Sequence, residues 1–469
     1  MKRRICLALA AALLGTSLAG CSGGTSGLPG DTTTAQEAKS TEAGNSSQAE
    51  DSSESSLAGT TIRVLSMTGQ ISDAIEAHLD EFEEETGITV NLELYGEAQL
   101  REKLTTEFLA GSSTIDAFLM SPLQDMAAYS NNGWIEPLGT YLEDPDFDWE
   151  DFSSAPMDQI IIQSTGEVGA LPLYSSVQLM FYRKDVFEEK GVAVPADYEE
   201  LLEVCEKTND PANNFYSIAC RGEKIALTSQ FSPFLYGCGG AYFKDGVCAF
   251  HTEENIEAAR FYGKLLGAYA PEGILTAGYS QMTQLFNAGQ VAMCIDAIAL
   301  YQTLIDPNES AFYDKVGVAP IPEGPAGRQS YKQVVWGSSI YSGSKNKEAA
   351  WEFMKFVAGK DIAADITPKG MPTFRASVWE DERVTSAMPE DYIAAYNEEI
   401  SADTTNQYGL PRMTAVSEAR DAMGEAIVYS IETKGEGAEL ESKMQEAAQK
   451  VDQLLKDAGE YGSDYPYSE

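Results

Sequence analysis

From Thr60 onward the apolar residues switch repeatedly between alternate positions and helical spacing, and this switching narrows the fold more than any other feature. Thr61 to Met67 alternates as a strand. Ile71, Ile75, Leu79 and Phe82 then recur at helical spacing, with Gly87 where a C-terminal cap belongs. Ile88 to Tyr95 alternates again, Leu100, Leu104 and Phe108 form a second helical stripe before Gly111, and Ile115 to Met120 reads as a buried strand. The order is βαβαβ. Strands joined through crossover helices run parallel, and ligands collect beyond their carboxyl ends. The loops at Thr68 to Gln70, Gly96 to Glu97 and Ser121 to Asp125 should therefore line a cleft, which makes Gln70, Glu97, Ser121, Gln124 and Asp125 candidates for ligand contact.

A second set of elements follows Leu171-Pro172-Leu173: a strand at Val177 to Tyr182, helices around Asp185 to Glu189 and Tyr198 to Lys207, and a hairpin turning at Asp245-Gly246. Val291 to Ile295 and Lys315 to Ile321 read as strands returning to the first lobe. Lys347 to Ala358, Ser417 to Glu432 and Gly437 to Asp457 read as helices packing on the second. The chain is 43% hydrophobic, and the length beyond residue 60 suffices for two packed cores. The expected fold is α/β and two-lobed, each lobe a mainly parallel sheet flanked by helices, joined by crossing hinge segments. Lobe 1 should comprise 59–173 plus about 296–336, lobe 2 about 177–294 plus 340–458, and 459–469 a tail.

The N-terminus carries a different signal. Lys2, Arg3 and Arg4 precede an apolar run from Ile5 to Leu14, which is the order of a secretory signal peptide and too short for a permanent span. Leu18-Ala19-Gly20-Cys21 resembles the bacterial lipobox, so residues 1–20 are read as a lipoprotein signal peptide and Cys21 as the lipidated residue. Two acyl chains, at about 0.8 kcal/mol per buried methylene, anchor stably where one does not. Residues 21–58, rich in Ser, Thr, Gly, Ala and Glu, are expected to be a disordered tether reaching on the order of 30 Å. The expected location is the outer face of the cell membrane.

With 32 basic and 73 acidic side chains, the formal charge of −41 argues against nucleic acid and against adsorption on anionic lipid. Beyond Cys6 and Cys21 the cysteines are Cys205, Cys220, Cys238, Cys248 and Cys294, an odd and unclustered set that is neither a disulfide framework nor at metal-ligand spacing, though it leaves a single bridge such as Cys205 to Cys220 open. Catalytic constellations are missing from the sequence. Only His78 and His251 are present to act as bases in a triad, His78 reads as structural, and no nucleophile elbow, phosphate-binding loop or His-Glu-x-x-His helix occurs. No enzyme, cofactor or metal is expected.

Four blocks in order carry a resemblance. They are Leu171-Pro172 followed by Phe181 to Phe187; Phe286 to Met293; Val316 to Pro322; and Ala349 to Phe356. Together they resemble the family 1 extracellular solute-binding proteins, the maltose-binding-like group. That resemblance implies two α/β lobes closing on a sugar, a monomer, and delivery to the transmembrane subunits of an ABC permease with a separate ATPase. The chain departs from the common pattern in having Ile115-Asp116 in place of Pro-Asp and Asp296-Ala297-Ile298 where Gly and Trp often follow the Ala-Met strand.

A neutral polyol needs flat apolar faces and fixed polar groups. Trp336, with Gly337 beside it, and Tyr174 supply the first; Asp296, at the end of a buried strand, supplies the second. Phe234 reads first as core and second as a stacking platform. Arg375, after Gly370-Met371-Pro372, is the arginine to watch for an anionic ligand. The crossings should fall near Leu173 to Ser176, Ile295 to Ala297 and Val335 to Ser339, placing Tyr174, Asp296 and Trp336 together on the cleft floor. The competing readings are a binding protein for a polyamine, peptide or organophosphate, a secreted glycoside-active enzyme, and a surface adhesin.

Overall fold

A computed structural model describes residues 57–152, 157–329, 331, 334–400 and 407–467; the signal peptide, Cys21 and nearly all of the tether lie outside them. Strand β1 (Thr61–Met67) alternates burial as its sequence does, and the helix Gln70–Thr86 buries Ile71, Ala74, Ile75 and Phe82 on one face. That helix stops at Gly87, whose φ of 69° few other residues adopt and whose N–H donates to Glu83 O. β2 (Thr89–Tyr95), the helix Glu97–Leu109 and β3 (Ala117–Met120) complete the βαβαβ unit, with β1 parallel to both β2 and β3.

β4 (Leu171–Ser176) ends the first passage through this lobe. β5 (Gln178–Arg183) begins one residue later in a different sheet, so the first crossing is Val177, beside the expected position. The second lobe then adds β6 (Tyr216–Ala219), a two-stranded hairpin of β7 (Phe243–Lys244) and β8 (Val247–Cys248), β9 (Val291–Ala297) and β10 (Val316–Ala319). The hairpin turns at Asp245 and Gly246, both at positive φ, as its Asp-Gly pair predicts. β11 (Val334–Ile340) returns to the first sheet and inserts antiparallel between β3 and β4.

The sheet orders are β2-β1-β3-β11-β4 and β10-β5-β9-β6. The expected two-lobed α/β architecture is present, but the sheets are mixed: in the second only β6 and β9 pair in parallel. Three assignments of segments to lobes need correction. Val291–Ala297 and Val316–Ala319 flank β5 in the second sheet and do not return to the first, because their apolar residues fill both faces of that sheet. The helix Lys347–Val357 packs Trp351, Phe353 and Met354 into the first core, since β11 has already carried the chain back there. The first core continues through Met371 and Phe374, and from Val378 on the buried apolar residues join the second-lobe layer that Ala363 and Ala364 already touch. The crossings are thus at Val177, between Ala319 and Val334, and between Phe374 and Val378; Ile295–Ala297 and Val335–Ser339 lie inside strands. The segment read as a tail is packed in place: Tyr465 is buried in the second core and Gly462 N–H donates to Gly246 O at 2.8 Å.

Alternation in β5 shows how one strand serves two layers. Met180 faces the core built with helices Lys224–Gly237, Glu253–Tyr269, Val416–Glu432 and Leu440–Ala458, whereas Leu179 and Phe181 face the layer holding Phe286 and Tyr392. Among the described residues no helix is long and apolar enough to cross a membrane.

Candidate functional site

The crevice between the lobes is built from strand ends and helix starts, as the parallel-strand rule predicts. On the first lobe, Tyr174 and Trp336 sit opposite each other on β4 and β11, their rings stacked at 6.4 Å between centroids and 12° between planes. The strand register shifts between Trp336 and Gly337, and a Cβ at Gly337 would stand 2.7 Å from Leu171 O. Gly337 is therefore required by sheet spacing. Glu97 heads the helix Glu97–Leu109 and is exposed. Arg101, one turn on, donates Nε to Asp125 Oδ1 at 2.6 Å and reaches Glu97 Oε1 at 3.4 Å. Asp125 also accepts from Ser121 N–H at 3.1 Å across the start of the helix Pro122–Asn131. Burial pushes the Asp125 carboxyl up, against the pull of Arg101.

On the second lobe, Arg221 stands two residues past the carboxyl end of β6. It donates Nε to Asp296 Oδ2 and Nη2 to Oδ1, both at 2.9 Å. Asp296 is wholly buried and its Oδ1 also takes Ala297 N–H at 2.6 Å, so its oxygens are engaged within the protein. The sequence reading gave Asp296 directly to the ligand. In the structure it is Arg221, with a quarter of its side chain open, that faces outward and Asp296 that orients it. Gln230 backs the pair: in the amide orientation that satisfies its neighbours, Oε1 accepts from Arg221 Nη2 at 3.1 Å and Nε2 donates to Ile295 O. The ring of Tyr279 lies 5.9 Å from the Arg221 guanidinium.

Arg420, on the helix Val416–Glu432, spans the crevice. It donates Nη1 to Gln124 Oε1 on the first lobe at 3.1 Å, Nε to Thr228 Oγ1 at 3.3 Å, and Nη2 to Ile225 O. Burial pulls Arg420 below the usual guanidinium range while Glu97 pulls it back. The same Glu97 field reaches Arg101, Arg221 and the Tyr174 hydroxyl, so this carboxylate looks across at the second lobe.

The structure thus brings Glu97, Gln124, Asp125, Tyr174 and Trp336 to the first wall and Asp296, through Arg221, to the second. Ser121 is buried at the same helix start, its hydroxyl unpaired among the described residues, and Gln70 begins the helix beyond β1 with Oε1 likewise unpaired. Two candidates lie elsewhere. Phe234 is wholly buried against Tyr198 and Tyr262, because the helix Lys224–Gly237 is enclosed on nearly every side. Arg375 is buried under the first lobe, donating to Asp151 Oδ2 at 3.0 Å and lying 4.4 Å over the Phe152 ring, where it clamps the third crossing. Sequence reasoning missed Arg101, Arg221, Gln230, Tyr279 and Arg420. Arg221 follows the strand-end rule, but a four-residue strand leaves little periodicity to read; Arg420 looks like any polar residue on the outer face of a helix.

These features coincide with a known class. Residues 68–364 match the family described as bacterial extracellular solute-binding protein. The chain belongs to that family. It is 27% identical over 322 residues to an erythritol/L-threitol-binding protein of Mycolicibacterium smegmatis, covering 65% of this chain and 67% of that one. It is 26% identical over 305 residues to a mannitol-binding protein of Pseudomonas aeruginosa, covering 61% and 67%. A solved solute-binding protein of an ABC transporter from Agrobacterium radiobacter, in complex with ribitol, superimposes with a TM-score of 0.72 at 25% identity, covering 85% of this chain and 99% of that one.

Proposed function

We propose that this protein is the substrate-binding component of an ABC importer, held at the outer face of the membrane through Cys21, and that it captures a small neutral carbohydrate, a linear polyol or single sugar, between its lobes. The observation that carries this reading is the pairing of walls across the crevice. One wall offers the stacked faces of Tyr174 and Trp336 for C–H surfaces, and the other offers Arg221 and Arg420 as fixed donors for hydroxyl oxygens. The charges there balance: Arg101, Arg221 and Arg420 against Glu97, Asp125 and Asp296. In a chain of formal charge −41 that local neutrality favours an uncharged ligand over a cation, which would need surplus carboxylate, or a phosphate, which would need surplus guanidinium. The likeness to proteins named for erythritol and mannitol, and to one solved in complex with ribitol, supports the same class.

Ligand capture closes the lobes about the crossings at Val177, Ala319 to Val334 and Phe374 to Val378, and a permease with a separate ATPase accepts the loaded protein. The test is a thermal-shift panel of four- to six-carbon polyols and single sugars. A ligand at 100 times its Kd stabilises by about 2.7 kcal/mol, and Trp336→Ala should remove about 0.5 to 1.5 kcal/mol of stacking from binding. Stabilisation by charged solutes alone would overturn the reading. Anchoring is tested separately: Cys21→Ala should release the protein or leave its leader uncleaved, and salt-resistant membrane association of a processed Cys21→Ala protein would refute the lipid anchor.

A further inference from the structure

We infer that Asp158, Tyr408 and Arg412 form a latch that bridges the two lobes and sets how readily they part, whatever the ligand is. Asp158 belongs to the first lobe, on the short helix Met157–Ile160 whose Ile160 is buried in the first core. Tyr408 and Arg412 belong to the second. Tyr236 on the helix Lys224–Gly237 donates its hydroxyl to Tyr408 O at 2.7 Å and accepts from Tyr408 N–H at 3.0 Å, and the neighbouring Met413 lies in the second core.

Between these anchored backbones the side chains meet. Asp158 Oδ2 accepts from the Tyr408 hydroxyl and from Arg412 Nη1 at 3.2 Å, Arg412 Nη1 also donates to Tyr408 Oη at 2.7 Å, and Arg412 Nη2 donates to the Asp158 carbonyl. The guanidinium lies between two rings, 4.9 Å from that of Tyr408 and 4.6 Å from that of Tyr467. Tyr465 fastens the far side by donating to Arg412 O at 2.8 Å. Leu123, one residue before the Gln124 that Arg420 reaches, packs with Tyr408 and Leu410, so the bridge adjoins the crevice.

Two features make this a latch and not a permanent strut. Asp158 keeps 31% of its side chain open, so water replaces Arg412 when the lobes separate, whereas a fully buried pair would leave an uncompensated charge. On the other side, Tyr408 and Arg412 border a cavity of about 210 Å³ lined also by Tyr236, Tyr242, Phe243 and Tyr465. Side chains bordering a void have room to swing, which those in a close-packed core do not.

The test places spin labels on exposed helix positions of the two lobes, Glu102→Cys and Glu418→Cys, in the full lipidated chain with Cys238→Ser and without ligand. Arg412→Gln and Asp158→Asn should each shift the interlabel distances to longer values, and the double variant should shift them no further than the larger single change. Unchanged distances in Asp158→Asn overturn the latch, even if Arg412→Gln lengthens them, because the effect would then come from the tyrosine stack alone. Asp158 keeps about a third of its side chain open and lies outside both cores, so this arm stands if Arg412→Gln fails to fold.

Discussion

Each lobe brings one arginine–aspartate pair to the crevice, and the two pairs are built for different tolerances. Asp125 holds Arg101 by one nitrogen and has a backbone donor of its own, Ser121 N–H, at the start of a helix whose dipole favours a carboxylate. Arg101 in turn has a second acid within reach, Glu97. Asp296 stands at a strand end, wholly buried, accepting from both Nε and Nη2 of Arg221 and from the Ala297 N–H beside it. Burial pulls Arg221 down, and Asp296, with further help from Glu97, raises it above its ordinary value. Arg101 thus has two acids within reach, whereas among the described residues Arg221 is ion-paired with Asp296 alone.

The largest effect should come from breaking the second pair. Asp296→Ala leaves Arg221 uncompensated beside a buried strand and should destabilise the protein by about 3 to 5 kcal/mol in urea unfolding. Asp125→Ala should cost less, about 1 to 3 kcal/mol, because Glu97 remains for Arg101. Adding Glu97→Gln to Asp125→Ala should then cost more than the two single changes summed, since the pair shares one arginine. Equal losses at Asp296 and Asp125, or strict additivity in the double variant, would erase the contrast between the lobes.

That contrast also marks what the sequence discloses. The βαβαβ alternation from Thr61 to Met120 locates Glu97, Gln124 and Asp125 because strand ends and helix starts follow from periodicity alone. Tyr174 and Trp336 were legible as aromatics near a crossing, and the antiparallel insertion of β11 beside β4 makes them neighbours. Asp296 was legible as a buried acid but not its partner: Arg221 lies 75 residues away, and only the parallel pairing of β6 with β9 brings the two together. The lobe of β10 was misread for the same reason, since strand pairing is a long-range choice that local pattern does not carry. Phe234 is core, as its first reading has it, and only its second reading as a stacking platform fails; Arg375 was misplaced because burial by surrounding elements leaves no mark on the residue itself.

A smaller effect should distinguish the outer edge of the first sheet. Arg63 on β1 donates Nε to Glu93 at 2.7 Å and Nη1 to Glu107 at 2.7 Å, tying β2 and the helix Glu97–Leu109 to β1. The Arg63 hydrogen bonds hold the Glu107 carboxyl down at about 2. A lowered folded pKa means stability that is present above the unfolded value of about 4.3 and lost as pH falls toward 2. Glu107→Gln should cost about 1 to 2 kcal/mol at neutral pH, and the difference from wild type should vanish on acidification over that window. A constant difference down to pH 2 would show that Glu107 acts by packing alone.

The smallest effect lies at His78, where the sign runs the other way. Its Nε2 lies 2.9 Å from Asp365 on the helix Lys360–Ile366 and its Nδ1 lies 3.2 Å from Glu81, and the Asp365 hydrogen bond, then Glu81, raises its pKa. Asp365 is shared with Arg383, 3.8 Å away, which tempers the pull. A raised folded pKa gives stability that is fully present below the unfolded value of about 6.5 and lost as pH rises through the folded one. Because the histidine is partly exposed, the gain should be at most about 1 kcal/mol. Unfolding midpoints of wild type and Asp365→Asn should therefore differ at pH 5.5 and converge at pH 9. A gap that stays open at pH 9 would assign the role of Asp365 to Arg383 instead.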